Sequence, residues 1–458
     1  MKKTFMKASL CGMILLLWSL NVNAIDFTTS GDGKTYSFEA LSALEGSGVT
    51  KEGDVFVVDG TITISEGDFF KIDEGIVVEF CDNAEVILKC PSDLQTHTSP
   101  TTLTRHGEAT TCYGLNVQSA SVSEVENITF DYVGLRGNTP AGMNVRHCTF
   151  THHNGNASGA LFLGGDGAAF TVEDCHFELC QKAAIGGAAN YFCPATITGC
   201  TFIKNSQANG NIPQLNLTSA SDITISNCTV EGDSTLNMVG GIGVSNFFGY
   251  DNQHITISGC TIKDNRYGIT TMGVMDVKIT DNQIINNRFE TNPNNGGSGI
   301  SLYDPYLKQN VYLSGNRIEK NLWGITVIGC GHVNMGQVTD GEEGDYNPGN
   351  NVFKDNGNSG VLYDLYNNST NTIYAQGNIW NVALQDEEHI EEVIFHKHDN
   401  PSLGEVLFMP AGDPEGIRQL RHRTTEEDAV FSISGTRLPS SQALPHGVYI
   451  INGKKILK

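Results

Sequence analysis

HITISGCTIKDN, residues 254–265, decides the fold. Ile255 and Ile257 alternate with polar residues, the period of a strand with one buried face. Cys260 closes that strand, and Ile262 continues the apolar alternation beyond it. Nearly the same words stand earlier as Ile223-Thr-Ile-Ser-Asn-Cys228 and Thr196-Ile-Thr-Gly-Cys200. Aligned on this position, nine anchors emerge: Cys148, Cys175, Cys200, Cys228, Cys260, Asn282, Asn316, Asn351 and Asn378, at steps of 22 to 35 residues. Two residues after each anchor the side chain is large and apolar, from Phe150 and Phe177 through Ile262 and Ile284 to Phe353 and Trp380. Five after the anchor runs a second column: His153, Cys180, Asn205, Asp233, Asn265, Asn287, Asn321 and Asn356. A glycine then opens another strand, as in Gly268-Ile-Thr, Gly299-Ile-Ser-Leu, Gly324-Ile-Thr-Val and Gly360-Val-Leu-Tyr. Only the Asn351 unit departs before its anchor, with Pro348 three residues ahead.

One unit thus reads strand, turn, strand, turn, strand, and the uneven steps suit turns that accept insertions. Over residues 113–381 this pattern resembles the right-handed parallel β-helix of pectate-lyase-like and polygalacturonase-like proteins. The resemblance implies an all-β solenoid in which like residues stack in columns about 4.8 Å apart. An inward cysteine at a tight turn is then small apolar filler, and an inward asparagine stacks amide on amide. The anchor changes from Cys260 to Asn282 with no other change of pattern, which argues against a catalytic thiol. No Cys-x-x-Cys or Cys/His zinc spacing occurs. Stacked cysteines point the same way, poor geometry for bridging, so the column from Cys148 to Cys260 is expected to hold mostly free, buried thiols.

The ends differ from the repeats. Lys2, Lys3 and Lys7, the apolar run Ile14–Trp18 and the small-residue end at Ala24 read as an export signal over residues 1–24. No later run approaches the length of a membrane span. Residues 25–112 read as an N-terminal cap and first coils. Phe38, Leu41 and Leu44 lie at near-helical spacing in a plug, strands follow over 55–58, 61–64, 76–80 and 86–88, and 91–112 is a Thr/Ser/Pro-rich loop. Residues 382–415 read as a C-terminal cap, with a helix from Asp386 and a last strand over 403–408. Residues 416–458 read as a short β tail. Ala429–Leu438, Leu444–Ile450 and the basic Gly453–Lys458 resemble, in that order, the sorting tail of type IX secretion substrates in Bacteroidetes. That resemblance implies the type IX secretion machinery as a partner and a secreted or outer-membrane-surface location.

The formal net charge of −23 excludes nucleic acid and anionic lipid as favoured partners. It also repels polyuronates unless a divalent cation bridges the carboxylates. Inserted segments, assigned to one phase after the Gly–Ile strand, concentrate tyrosines and acids: Tyr250 with Asp251, Tyr303 with Asp304 and Tyr306, Tyr346, and Tyr363 with Asp364 and Tyr366. Flat rings on sugar faces and carboxylates on hydroxyls make a glycan groove. Asp304 and Asp364 are the candidate pair for glycoside hydrolysis. Lys308, Tyr303 or His332 would be the base for uronate elimination. The acidic turn with Asp340, Glu342, Glu343 and Asp345 is the candidate calcium site, with a solvated loop as the alternative. His153 falls in the inward column, and His152 beside it faces out.

The catalytic signatures of the resembling families are missing. Gly331-His332-Val333 and Arg317-Ile318-Glu319 only approach the polygalacturonase motifs, and no Asp-Asp pair occurs. The sequence therefore supports a secreted or surface-exposed monomer that interacts with polysaccharide. It acts either as a polysaccharide lyase or glycoside hydrolase, or as a non-catalytic adhesin, glycan-binding or structural protein.

Overall fold

The computed structural model describes residues 26–413, apart from 156, 190, 219–220, 252, 291, 293–294, 340–344, 359 and 362, together with four strands between 430 and 457. The proposed leader and the residues Asp340, Glu342 and Glu343 lie outside the described residues.

The described residues coil as a right-handed parallel β-helix, and among them run three long sheets. Sheet A has 14 strands, from Asp26–Thr28 to Ile394–Phe395, and carries the strands opened by glycine. Sheet B has 14, from Thr35–Tyr36 to Val406–Leu407, and carries the strands that precede the anchors. Sheet C has 13, from Val49–Glu52 to Val352–Lys354, and carries the strands that follow them. Val49–Glu52 pairs antiparallel with Val55–Val58 as a starting hairpin; the later described rungs pair in parallel. Ile255, Val277, Val311, Val333, Ile373 and Val406 sit on one another in register.

The anchors work because of the residue before them. His147, Asp174, Gly199, Asn227, Gly259, Asp281, Gly315, Asn350 and Gly377 all have φ between 50° and 69°. Asparagine, aspartate and glycine enter this left-handed region most readily. The one-residue kink swings the chain from sheet B to sheet C and turns the anchor inward. Asn282 Oδ1 accepts from the Cys260 N–H at 2.9 Å, and Asn316, Asn351 and Asn378 repeat the contact upward. Each Nδ2 also donates to a main-chain carbonyl, as Asn282 does to Ile257 at 2.9 Å. The ladder thus satisfies turn groups that burial would otherwise leave unpaired.

In the thiol half of the column each Sγ donates to the carbonyl two residues back, at 3.2 Å for Cys148 and 3.4 Å for Cys260. Cys148, Cys175, Cys200, Cys228 and Cys260 form no disulfide. The neighbouring Cys175 thiol, with burial behind it, pushes Cys200 up to about 12, so this thiol stays protonated. Two residues on, Phe130, Phe150, Phe177 and Phe202 form a ring stack with centroids 4.7, 4.7 and 5.0 Å apart.

The second column leads from sheet C to sheet A in the same way, with one correction. Asp233 does not face inward. It turns out and accepts from the Thr235 N–H and hydroxyl. Gln214 reaches into the vacated place. Its Oε1 accepts from the Asn205 N–H at 3.0 Å and its Nε2 donates to Asn265 Oδ1 at 3.0 Å. His153 heads this column, fully buried; burial pushes it down to about 3, so it is neutral, and its Nε2 accepts from the Gly155 N–H. His152 faces out and pairs with Asp131 at 2.9 Å.

At the N-terminus the helix Phe38–Ser42 plugs the coil, capped by Ser37. Phe38 and Leu41 are fully buried, but Leu44 lies outside. Residues 91–112 are not a loop. They hold Ser92–Gln95 in sheet B and Thr101–Arg105 in sheet C, with Leu94 and Leu103 fully buried. Burial of those two leucines overrides the coil-like composition around them. The C-terminal cap is the short helix Glu387–Glu391, whose N-cap Asp386 accepts from the His389 N–H at 3.0 Å. The tail forms a separate antiparallel sheet in the order Arg437–Leu438, Val430–Ser432, Val448–Ile451, Lys454–Leu457.

Candidate functional site

Connections of very different length flank sheet A, and its outer face forms the floor between them. Along that floor Gly186, Asn216, Gly243, Thr270, Ser301, Thr326 and Tyr366 follow rung by rung. The floor is small and polar over its middle rungs and aromatic at the C-terminal end. On the sheet C side the 204–214 connection leans over it: a side chain at Gly243 would meet Pro213 Cγ at 2.8 Å.

The wall on the sheet B side is aromatic. Two connections build it, and each is shaped by a buried polar side chain. Asn246 donates from Nδ2 to Tyr250 O at 2.8 Å and accepts from the Tyr250 N–H at 3.1 Å, which closes residues 246–250 into a turn. The same Nδ2 donates to Val274 O on the next rung. Asp304 does the equivalent work in the following wall segment. It accepts from the N–H groups of Tyr306, Lys308 and Gln309 at 3.0, 2.7 and 2.7 Å. Gln309 then turns inward and donates to Gly273 O. These turns hold Phe247, Phe248 and Tyr306 outward at 57, 60 and 71% exposure. Tyr250 packs against Phe192, centroids 4.2 Å apart, and Phe248.

The tyrosines singled out by sequence divide into two groups. Tyr250 and Tyr306, with Asp251 beside them, lie on this wall, and Tyr303 points outward from the sheet A strand Ser298–Asp304. Tyr366 also points outward from sheet A, but Tyr363 precedes its strand and lies on the opposite margin. Trp323, Tyr363, Tyr366 and Phe395 form one cluster, with Trp323 stacked on Tyr363 at 5.1 Å and Tyr366 on Phe395 at 4.6 Å. Tyr346 is 66% exposed but belongs elsewhere. The insertion assigned to residues 330–346 after a sheet A strand in fact starts after the sheet B strand His332–Asn334, between sheets B and C. Tyr346 and Asp345 therefore do not share the edge of Tyr250 and Tyr306.

Both carboxylates of the candidate hydrolytic pair serve the fold. Asp304 is 0% exposed with its three main-chain donors already named. Asp364 is 1% exposed and ends the second asparagine ladder, accepting from Asn356 Nδ2 at 3.0 Å and from the Asn381 N–H at 2.8 Å. Burial pushes Asp364 up to about 7. Lys308 is exposed on the wall, and His332 is exposed at the start of a sheet B strand, away from the trough floor. Among the described residues no group of three or more His, Cys, Asp or Glu side chains is placed to hold a metal.

Sequence reasoning missed Phe192, Phe247, Phe248, Trp323 and Phe395. Trp323 carried a readable signal, a large ring directly before Gly324-Ile325 where the chain enters the sheet A strand Trp323–Gly329. Phe247-Phe248 was visible as an apolar pair inside an inserted segment. At the N-terminal end of the floor Arg136 forms an ion pair with Glu85 and lies over the Tyr113 ring at 5.3 Å. Desolvation lowers the Arg136 pKa.

Repeat, register and turn chemistry define the class as a right-handed parallel β-helix, and the profile for "right handed beta helix region" matches residues 195–379. No curated protein matches the chain. Among solved structures, a single-substitution mutant of the periplasmic alginate epimerase AlgG is similar at 12% identity, with 82% of this chain and 83% of that chain covered and a TM-score of 0.41. A double mutant of the same epimerase gives 12% identity, 83% and 84% coverage and a TM-score of 0.38.

Proposed function

We propose that the protein is an exported, monomeric β-helix that recognises a polysaccharide lying along the trough of sheet A. The supporting observation is the wall on which Phe247, Phe248 and Tyr306 stay exposed beside a floor of Asn216, Thr270, Ser301 and Thr326. Exposed rings cost solvation unless a partner covers them, and rings beside hydroxyls and amides suit a sugar chain with apolar faces and polar rims. Export by residues 1–24 and a sorting role for residues 416–458 complete this reading.

The proposed activity is recognition. Asp304 and Asp364 are held in main-chain and ladder hydrogen bonds, so the pair that hydrolysis would require is occupied. Incubation with pectin, alginate, glycosaminoglycans and neutral glycans, with calcium or with EDTA, tests this. Retention on one glycan with no unsaturated uronate and no new reducing ends is the expected result. Calcium-dependent ultraviolet absorbance would replace recognition with elimination, for which Lys308 would be the first base to substitute. Reducing ends without absorbance would replace it with hydrolysis.

A further inference from the structure

The outer face of sheet B is uniform over its middle rungs. Thr171, Thr196, Thr224 and Thr256 stack in one column, and Thr198, Ser226, Ser258, Thr280 and Ser314 in the next. Small hydroxyl side chains are enough for a solvated strand face. After Thr256 the first column changes to Lys278, Tyr312, Asn334 and Tyr374. The column at the strand starts reads His254, Asp276, Asn310 and His332 over the same rungs. The two columns are about 7 Å apart and the rungs about 4.8 Å, so these groups form a compact grid.

A cleft of about 390 Å³ opens over this grid. Asp345, between sheets B and C, lines it, and its main chain is tied down because Asn334 Nδ2 donates to Asp345 O at 2.8 Å. The change of residue type, the cleft and the approach of Asp345 coincide on the same rungs. Strand packing accounts for none of the three, since inward residues Ile255, Val277 and Val311 continue the core unchanged.

We infer that this cleft is a second carbohydrate site, and that it takes a neutral sugar unit seated against Tyr312. The charge balance favours a neutral ligand: Lys278 faces Asp276 and Asp345, and the whole chain is at −23, which leaves no excess positive charge for an anion. The donors and acceptors fit hydroxyls, which need both. Lys278 and Asn310 donate, and Asp276 accepts, already holding Asn310 Nδ2 at 2.8 Å. Lys278 Nζ lies 5.6 Å from the Tyr312 ring centroid, so charge and ring meet over one spot. His254, at the cleft's first rung, is tied to Asp222 at 2.9 Å. The site does not rest on the trough of sheet A, and substitutions separate the two.

Titration calorimetry on the full chain with cellohexaose, laminarihexaose, mannohexaose and hexagalacturonate tests the inference. One neutral hexasaccharide is expected to bind, to lose about tenfold in affinity on Tyr312→Ala and on the exposed Lys278→Ala, and to be unaffected by Tyr306→Ala. Binding of hexagalacturonate alone, no binding of any neutral hexasaccharide, or affinity unchanged in both Tyr312→Ala and Lys278→Ala would each overturn it.

Discussion

Gln214 Nε2 donates to Asn265 Oδ1 at 3.0 Å across a rung that supplies no asparagine of its own. The ladder is continuous because a side chain from a neighbouring connection stands in for the missing member. Truncation would leave the Asn205 N–H and the Asn265 amide oxygen buried with partners removed. Gln214→Ala is therefore expected to cost about 2 kcal/mol, whereas Asp233→Ala should cost less than about 1 kcal/mol. Urea denaturation of both variants checks this, and equal losses would mean that Gln214 is not a ladder member.

Asp364 gives the fold a pH dependence of definite sign. Burial pushes its carboxyl up to about 7, against 3.8 when unperturbed. The folded chain therefore holds this proton at pH values where the unfolded chain has released it. The contribution is fully present below about pH 4 and is lost as pH rises through about 7, a change on the order of 4 kcal/mol. The denaturation midpoint should fall between about pH 5 and pH 8 in the wild type. Asp364→Asn should lose that slope. It should also be less stable at both values, since one amide cannot accept from both Asn356 and Asn381. The same slope in both proteins would assign the effect to another group.

The thiol column makes a chemical prediction. Buried Cys148, Cys175, Cys200, Cys228 and Cys260 should resist alkylation in the native protein, with half-exposed Cys81 reacting first. In denaturant without reductant, most of the eleven described thiols should titrate. A near-complete absence of titratable thiol would show that the stacked cysteines pair after all.

Asp304 and Tyr306 separate shaping from contact. Removing Asp304 leaves three N–H donors without their acceptor, so Asp304→Ala should cost about 2–4 kcal/mol and also weaken glycan binding. Tyr306→Ala, at a ring 71% exposed, should change stability by less than about 0.5 kcal/mol while lowering glycan affinity. Differential scanning calorimetry run beside a binding assay distinguishes them. A Tyr306→Ala protein that melts as low as Asp304→Ala would make the ring part of the fold.

The fold was legible because one inward position recurs at every turn, and a left-handed residue before it leaves few chemical choices: Asn227, Gly259 and Asp281 are three answers to the same backbone demand. The site was less legible because insertions carry no phase label. Tyr346 falls on the wrong edge in the sequence reading because residues 330–346 read as one insertion after Gly324-Ile-Thr-Val, although His332–Asn334 inside it is a sheet B strand. Pro348, the single break in alternation before an anchor, marked where the insertion really ends. Asp304 and Asp364 looked catalytic because a buried structural carboxylate and a reactive one are the same letter. Only their hydrogen-bond partners tell them apart.

The most direct measurement is affinity electrophoresis of the full-length protein in gels containing each polysaccharide, with the Phe247→Ala, Phe248→Ala, Tyr306→Ala triple variant alongside. Recognition along sheet A predicts that at least one polysaccharide slows the wild type clearly more than the equally stable variant. Equal retardation of both proteins, or retardation by none, would contradict it.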